Sequence, residues 1–272
     1  MFYYSITGNP SHPSILFLHG GGGAGWMWQP QVEALKNDYH LLVPDLPEHG
    51  RSADITPFSI AGSVPLLAEL IRTRANGGRA HVVGLSAGAQ IALALLAANP
   101  ELVDHAIISS ADVHPMFGLG WFGAGFWAAM YRSIEPLNKY KWWMRLNMRS
   151  YGIPGRFLPE MAETYRTLTA SAFGNLIEEN QRFRLPVGLE RVLAPTLVVG
   201  GRKEYKVIHR SIKEIVAAIP GAKGYLVYHS PKMSLAEQHN WNMTAPELFN
   251  RTIQAWIEGR PLPDELKPLV KI

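Results

Sequence analysis

Seven short apolar runs set the frame: Phe2–Ile6, Ile15–Leu18, His40–Val43, His81–Val83, His105–Ser109, Thr196–Val199 and Tyr225–Tyr228. Most are continuous in Val, Ile and Leu rather than alternating, as strands covered on both faces must be. Helical patterns separate them. Strands alternating with helices give an α/β fold, here a mostly parallel open sheet of about seven strands with helices on both faces. A chain of 272 residues can hold such a sheet as one domain. Its 47% hydrophobic and 18% charged residues supply a large core and exclude disorder.

Two helices stand out. Ala89–Ala98 is apolar nearly all round, which marks a buried central helix. The last helix is expected to open with a capping box, Thr244-Ala245-Pro246-Glu247, and to bury Phe249, Ile253, Trp256 and Ile257 along one stripe. Gly259 and Pro261 then stop it, leaving a loose tail to Ile272. Between His114 and Leu189 the alternation fails: the stretch holds no strand run and is dense in Trp, Met, Phe and Tyr. It reads as a mainly helical insertion, dividing the chain into core 1–113, insertion 114–189 and core 190–272.

Composition closes off several functions. Lys plus Arg is 26 against 22 for Asp plus Glu, and no basic block carries the +4 excess, so no nucleic-acid partner is expected. With Cys at 0, thiolate nucleophiles, disulfides and Cys-ligated metals are excluded, which fits a cytoplasmic location. Met1 to Pro13 lacks the basic residues of a secretory signal, and the first apolar run stops at His19-Gly20. Only Pro115–Tyr131 approaches the length of a membrane span, and Gly118, Gly120, Gly123 and Gly125 interrupt it, so no stable membrane insertion is expected.

The chemistry is concentrated in two glycine-rich loops. Gly84-Leu85-Ser86-Ala87-Gly88 lies between an apolar run and the buried helix, the strand–turn–helix setting that a nucleophilic serine on a sharp turn requires. Small neighbours let the turn close, and the helix start offers free backbone N–H groups to an anion. His19-Gly20-Gly21-Gly22-Gly23 follows the run Ile15–Leu18 and can bring a backbone N–H to a developing oxyanion. Gly21 and Ala87 would be the two donors. A phosphate loop fits less well, because no G-K-[ST] follows.

These motifs resemble those of the α/β-hydrolase superfamily, at both ends of the chain but not in the insertion. Asp45-Leu46-Pro47-Glu48-His49-Gly50-Arg51-Ser52 is similar to that family's D-x-P-G-H-G-x-S loop, with Glu48 where Gly is usual. The resemblance makes Asp45, His49 and Arg51 scaffold rather than catalytic residues. Only one strand fits before Ile15, so the family's first strand is missing.

The family's order of nucleophile, acid, then histidine places the base after the last strand. His239, in His239-Asn240-Trp241-Asn242, is preferred over His229, which reads as a polar strand terminus. The acid follows Thr196–Val199 in Gly201-Arg202-Lys203-Glu204, where Glu204 replaces the usual Asp. Asp112, after the run His105–Ser109, is the alternative acid, or else a helix cap for the insertion.

The resemblance implies a serine hydrolase that cleaves carboxylic esters of small, mainly apolar molecules. Ser86 attacks, His239 accepts its proton, Glu204 orients His239, and no cofactor or metal is needed. The insertion would form a cap, with Trp121, Phe122, Phe126 and Trp127 as candidate substrate contacts. The same residues would serve carbon–carbon bond hydrolysis, acyl transfer or haloperoxidase chemistry. A ligand receptor with little turnover and an interfacial lipase also remain open.

Overall fold

The computed structural model describes residues 1–114, 122–230 and 232–269. The seven runs become strands: β1 (Tyr4–Thr7), β2 (Ser14–Leu18), β3 (His40–Pro44), β4 (Ala80–Leu85), β5 (Val103–Ser109), β6 (Thr196–Gly201) and β7 (Lys223–Val227). An eighth strand, β8 (Leu266–Pro268), lies where the sequence suggests only a loose tail. The sheet order is β1-β3-β2-β4-β5-β6-β7-β8. The six inner strands are parallel, while β1 on β3 and β8 on β7 are antiparallel edges.

Burial on both faces explains the continuous apolar runs. Along β2, Leu16 and Leu18 face one layer of core while Ile15 and Phe17 face the other. The first layer is closed by α2 (Ile60–Arg74), α3 (Ala87–Ala98) and α8 (Lys206–Ala218). The second is closed by α1 (Gln29–Leu35), α10 (Trp241–Thr244) and α11 (Pro246–Ile257), with Trp28, Trp241 and Phe249 at its centre. The all-round apolar sequence of α3 fits its place under the sheet, with ten of its twelve residues buried.

The chain between β5 and β6 carries α4 (Ala124–Ile134), α5 (Lys141–Ser150), α6 (Leu158–Thr167) and α7 (Ala170–Arg182). Glu48 and Glu179 tie these helices to the core. The buried Glu48 carboxylate accepts hydrogen bonds from the Phe58 N–H and from Asn175 of α7, both at 2.9 Å. Glu179 accepts one from the Ile60 N–H at the start of α2, at 2.7 Å.

The expected capping box at Thr244 does not form. Ala245 occupies the N-cap of α11, with Pro246 in the first turn, so Thr244 lies one residue too early. Its hydroxyl bonds back to the carbonyls of Glu237 and Asn240. The capping box belongs instead to Ser234 and Glu237, which open the short helix α9 (Leu235–His239) in what reads from sequence as a loop. Among the described residues no helix is long and apolar enough to cross a membrane.

Candidate active site

Ser86 lies between β4 and α3 with φ 54° and ψ −116°, a backbone state that a non-glycine residue holds only under constraint. Its neighbours supply that constraint. A Cβ on Gly84 would stand 2.5 Å from the Gly88 carbonyl oxygen, and one on Gly88 would stand 2.2 Å from that of Leu18. The Ser86 N–H is fixed to the Ser109 carbonyl at 2.9 Å. The Ser86 carbonyl accepts from Ala89 and Gln90, and the N–H of Ala87, in the first turn of α3, has no acceptor among the described residues.

The Gly21 N–H is likewise unspent. Its loop is held by two buried histidines. His19 Nε2 accepts the Leu46 N–H at 3.0 Å, so its proton sits on Nδ1 and goes to the Gly20 carbonyl at 2.8 Å. Burial, reinforced by the nearby His49, lowers the His19 pKa to about 3, so the ring stays neutral. His49 Nε2 accepts the Gly22 N–H at 3.2 Å, and its Nδ1 donates to Pro47. Asp45 accepts the N–H groups of Gly25 and Arg51 at 2.7 and 2.8 Å, and the Arg51 guanidinium holds the Tyr3 hydroxyl. These contacts brace loops, and the only cavity-lining residues they touch are Gly20 and Gly22, through backbone atoms.

His239 ends α9 and donates from Nδ1 to Glu204 Oε1 at 2.5 Å. The second oxygen of Glu204 accepts the Ser110 hydroxyl at 2.9 Å and the Gly201 N–H at 2.5 Å, so this buried carboxylate is held in one orientation. Asp112 does not meet His239. It accepts the His114 N–H and the Ser211 hydroxyl, and among the described residues it caps no helix, the N-cap of α4 being Gly123. His229 is exposed, two residues beyond the end of β7.

Ser86, Gly21 and His239 open on one cavity of about 310 Å³, roofed by residues from α4 to α7. That is at the small end of the roughly 300–1,000 Å³ range of small-molecule sites. Phe122, Phe126 and Trp127 do not line it. Phe122 and Phe126 are exposed and stack on each other at 4.1 Å, while the Trp127 indole donates to the Phe122 carbonyl. Trp121 lies outside the described residues. The aromatic lining comes instead from Tyr131, Trp143, Tyr151, Tyr165 and Phe173.

A model of the Alpha/beta hydrolase family matches residues 15–252. An AB hydrolase superfamily protein of Gibberella zeae is 31% identical over 97% of this chain and 86% of its own. The chain belongs to the alpha/beta-hydrolase family.

A second relative, the (E)-2-((N-methylformamido)methylene)succinate hydrolase of Acinetobacter baylyi, is 25% identical over 91% of both chains. Among solved structures, a thermophilic esterase from Thermogutta terrifontis superposes with a TM-score of 0.73 at 16% identity, covering 95% of this chain and 93% of that one. This protein is therefore a hydrolase with the α/β-hydrolase fold.

Two supporting residues escape sequence reasoning. Ser110, with φ 56°, turns its hydroxyl onto Glu204, and Trp241 fixes Ser109 through its indole N–H at 3.0 Å. The pair Ser109-Ser110 at the carboxyl end of a central strand was the available signal, since ligands of open α/β sheets bind there.

Proposed function

We propose that this hydrolase cleaves carboxylic esters of small, uncharged, mainly apolar molecules through a serine-bound acyl intermediate. The observation that carries the reading is the His239–Glu204 hydrogen bond at a cavity that also holds Ser86. Ser86 Oγ attacks the ester carbonyl as His239 Nε2 takes its proton, while Glu204 stabilises the imidazolium through Nδ1–H. The N–H groups of Gly21 and Ala87 receive the oxyanion. The alcohol leaves with the proton from His239, and water, deprotonated by the same ring, then frees the acyl group. The helices α4–α7 act as a cap that excludes bulk water.

A fluorophosphonate should label the protein once, on Ser86, and Ser86→Ala should abolish the label. Labelling that persists in Ser86→Ala would end the reading. A second reading rests on Phe122, Phe126 and Met130, which are exposed at i, i+4 and i+8 along and just before α4. Such a stripe suits contact with a lipid surface, and a sharp rise in rate above a substrate's micellar concentration would mark an interfacial lipase.

A further inference from the structure

The cavity wall combines two features that restrict what can enter. First, none of its described lining residues is Asp, Glu, Lys or Arg. An ionised group brought in would lose its hydration without gaining a counter-ion, a cost that neutral donors do not cancel. Second, the cap places three phenols in that wall: Tyr131 on α4, Tyr151 just after α5, and Tyr165 on α6.

Their hydroxyl protons are uncommitted. Tyr131 Oη accepts from Asn138 Nδ2 at 2.7 Å, and Asn138 Oδ1 in turn accepts the Trp143 indole N–H at 3.2 Å. That chain fixes the Tyr131 oxygen as an acceptor and leaves its O–H to donate elsewhere. The hydroxyls of Tyr151 and Tyr165 have no hydrogen-bond partner among the described residues. The three groups are neighbours: burial raises the pKa of Tyr165, and Tyr151 and Tyr131 raise it further through their charges. Burial also pushes Tyr131 up to about 12, so all three remain O–H donors at any working pH.

Of the three only Tyr131 is buried, but all three line the cavity with a hydroxyl proton free to donate to whatever occupies it, and an apolar wall would have served a purely alkyl substrate better. We propose that Tyr131, Tyr151 and Tyr165 form a recognition subsite for an uncharged oxygen acceptor. The substrate then carries, besides the scissile ester carbonyl, a second ketone, ester or ether oxygen on an otherwise apolar skeleton that packs on Leu168, Phe173 and Leu176. This rests on the ester-hydrolase reading and narrows its substrate class to neutral molecules with two acceptor groups.

The test uses three p-nitrophenyl esters of matched chain length: an alkanoate, the corresponding oxo-alkanoate, and a chain ending in a carboxylate. The wild type should favour the oxo ester over the alkanoate by roughly three- to tenfold in kcat/KM, the range of one net hydrogen bond. The carboxylate ester should be slower than both. Tyr165→Phe and Tyr131→Phe should each bring the oxo-to-alkyl ratio toward one, and because the readout is a ratio, a general loss of activity cancels. A wild-type ratio of one or below, a ratio unchanged in both variants, or a preferred carboxylate ester would overturn the subsite. Calorimetry on Ser86→Ala, comparing a diketone with a monoketone of equal length, reads the subsite without turnover. Tighter diketone binding alongside no hydrolysis of any ester would reject the ester-hydrolase reading and keep the subsite. Equal binding of the two ketones would reject the subsite itself.

Discussion

The loops at the carboxyl ends of β2 and β4, braced by the loop after β3, and the helices α4–α7 enclose the same cavity, yet they are built on different rules. In the loops the backbone dictates residue type. Gly84 and Gly88 sit where no Cβ fits, Ser86 is held at φ 54°, and His19 and His49 each accept one backbone N–H and donate to one backbone carbonyl. In α4–α7 only the orientation of each short helix decides whether an aromatic ring meets the cavity or the solvent. Constraint by backbone leaves a motif; constraint by packing leaves only composition.

That contrast is broken most severely if the loop serine is not special. Ser86→Ala should lower ester turnover by roughly 10⁴-fold or more, because members of such a triad act as a unit. Its melting temperature should stay close to wild type, since the strain is held by the flanking glycines and the Ser109 carbonyl rather than by the hydroxyl. A modest loss in steady-state kinetics would place the chemistry elsewhere.

The next largest effect separates the two acids. If Glu204 stabilises the His239 cation as proposed, Glu204→Gln should cost roughly 10²- to 10⁴-fold in kcat. Asp112→Asn should stay within a few-fold, because Asp112 serves a local turn and Ser211. The reverse pattern would move the acid to Asp112 and leave the enzyme class standing.

Much of the core was legible for this physical reason. Each inner strand is buried on both faces and shows as an apolar run, and the Ser86, His19 and Asp45 loops carry glycines and buried polar residues that few other arrangements tolerate. What escaped lacked such a signature. Of the three residues of β8 only Leu266 is buried, so no run marks it. Ser234 and Thr244 both begin an S/T-x-x-E pattern, and only the position of Pro246 within the first turn of α11 decides between them. Phe126 and Tyr131 are five residues apart on one helix, and the helix's rotation alone sends the first to solvent and the second to the cavity.

Core and cap should also differ in acid. Burial lowers the pKa of His81 to about 4, with help from His105, as it lowers that of His19 to about 3, whereas unfolded histidine titrates near 6.5. Between those values the unfolded chain binds protons that the folded chain refuses. Stability is therefore fully present above about pH 6.5 and falls as pH drops toward 4, by up to about 1.4 kcal/mol per pH unit for each such ring. Urea midpoints from pH 7 to 4.5 should show this slope, and His81→Leu should make it shallower by one proton. An unchanged slope in His81→Leu would show that its ring is protonated in the folded state.

The join between the two regions predicts a smaller loss. Glu48 stands where the family usually has glycine, at φ 60°, and its carboxylate holds both the Phe58 N–H and Asn175 of α7. Asn175→Ala leaves the buried Glu48 carboxylate short of a donor and should cost about 1–3 kcal/mol of stability by denaturant titration. Because α7 carries Leu176 over Gly21, KM should rise with it. A loss of stability with an unchanged KM would mean that the join steadies the fold without shaping the cavity.

The smallest effect is the sharpest check on how the cap is read. Phe126 is 46% exposed and among the described residues its ring meets only those of Phe122 and Trp127, so Phe126→Ala removes no described cavity contact. Surface changes of this kind usually stay within about 0.5 kcal/mol, so kcat/KM for a water-soluble ester should hold within about twofold. Phe173 is the matched contrast: it lines the cavity and stacks on Tyr131 at 4.7 Å. Phe173→Ala should lower kcat/KM roughly tenfold or more, since it strips apolar area from the wall and frees the ring that positions the Tyr131 hydroxyl. The pair is best measured on soluble and micellar substrates in parallel. If Phe126→Ala is silent on the first and damaging on the second, the exposed stripe works at an interface and the lipase reading gains. If it is damaging on both, the ring belongs to the site.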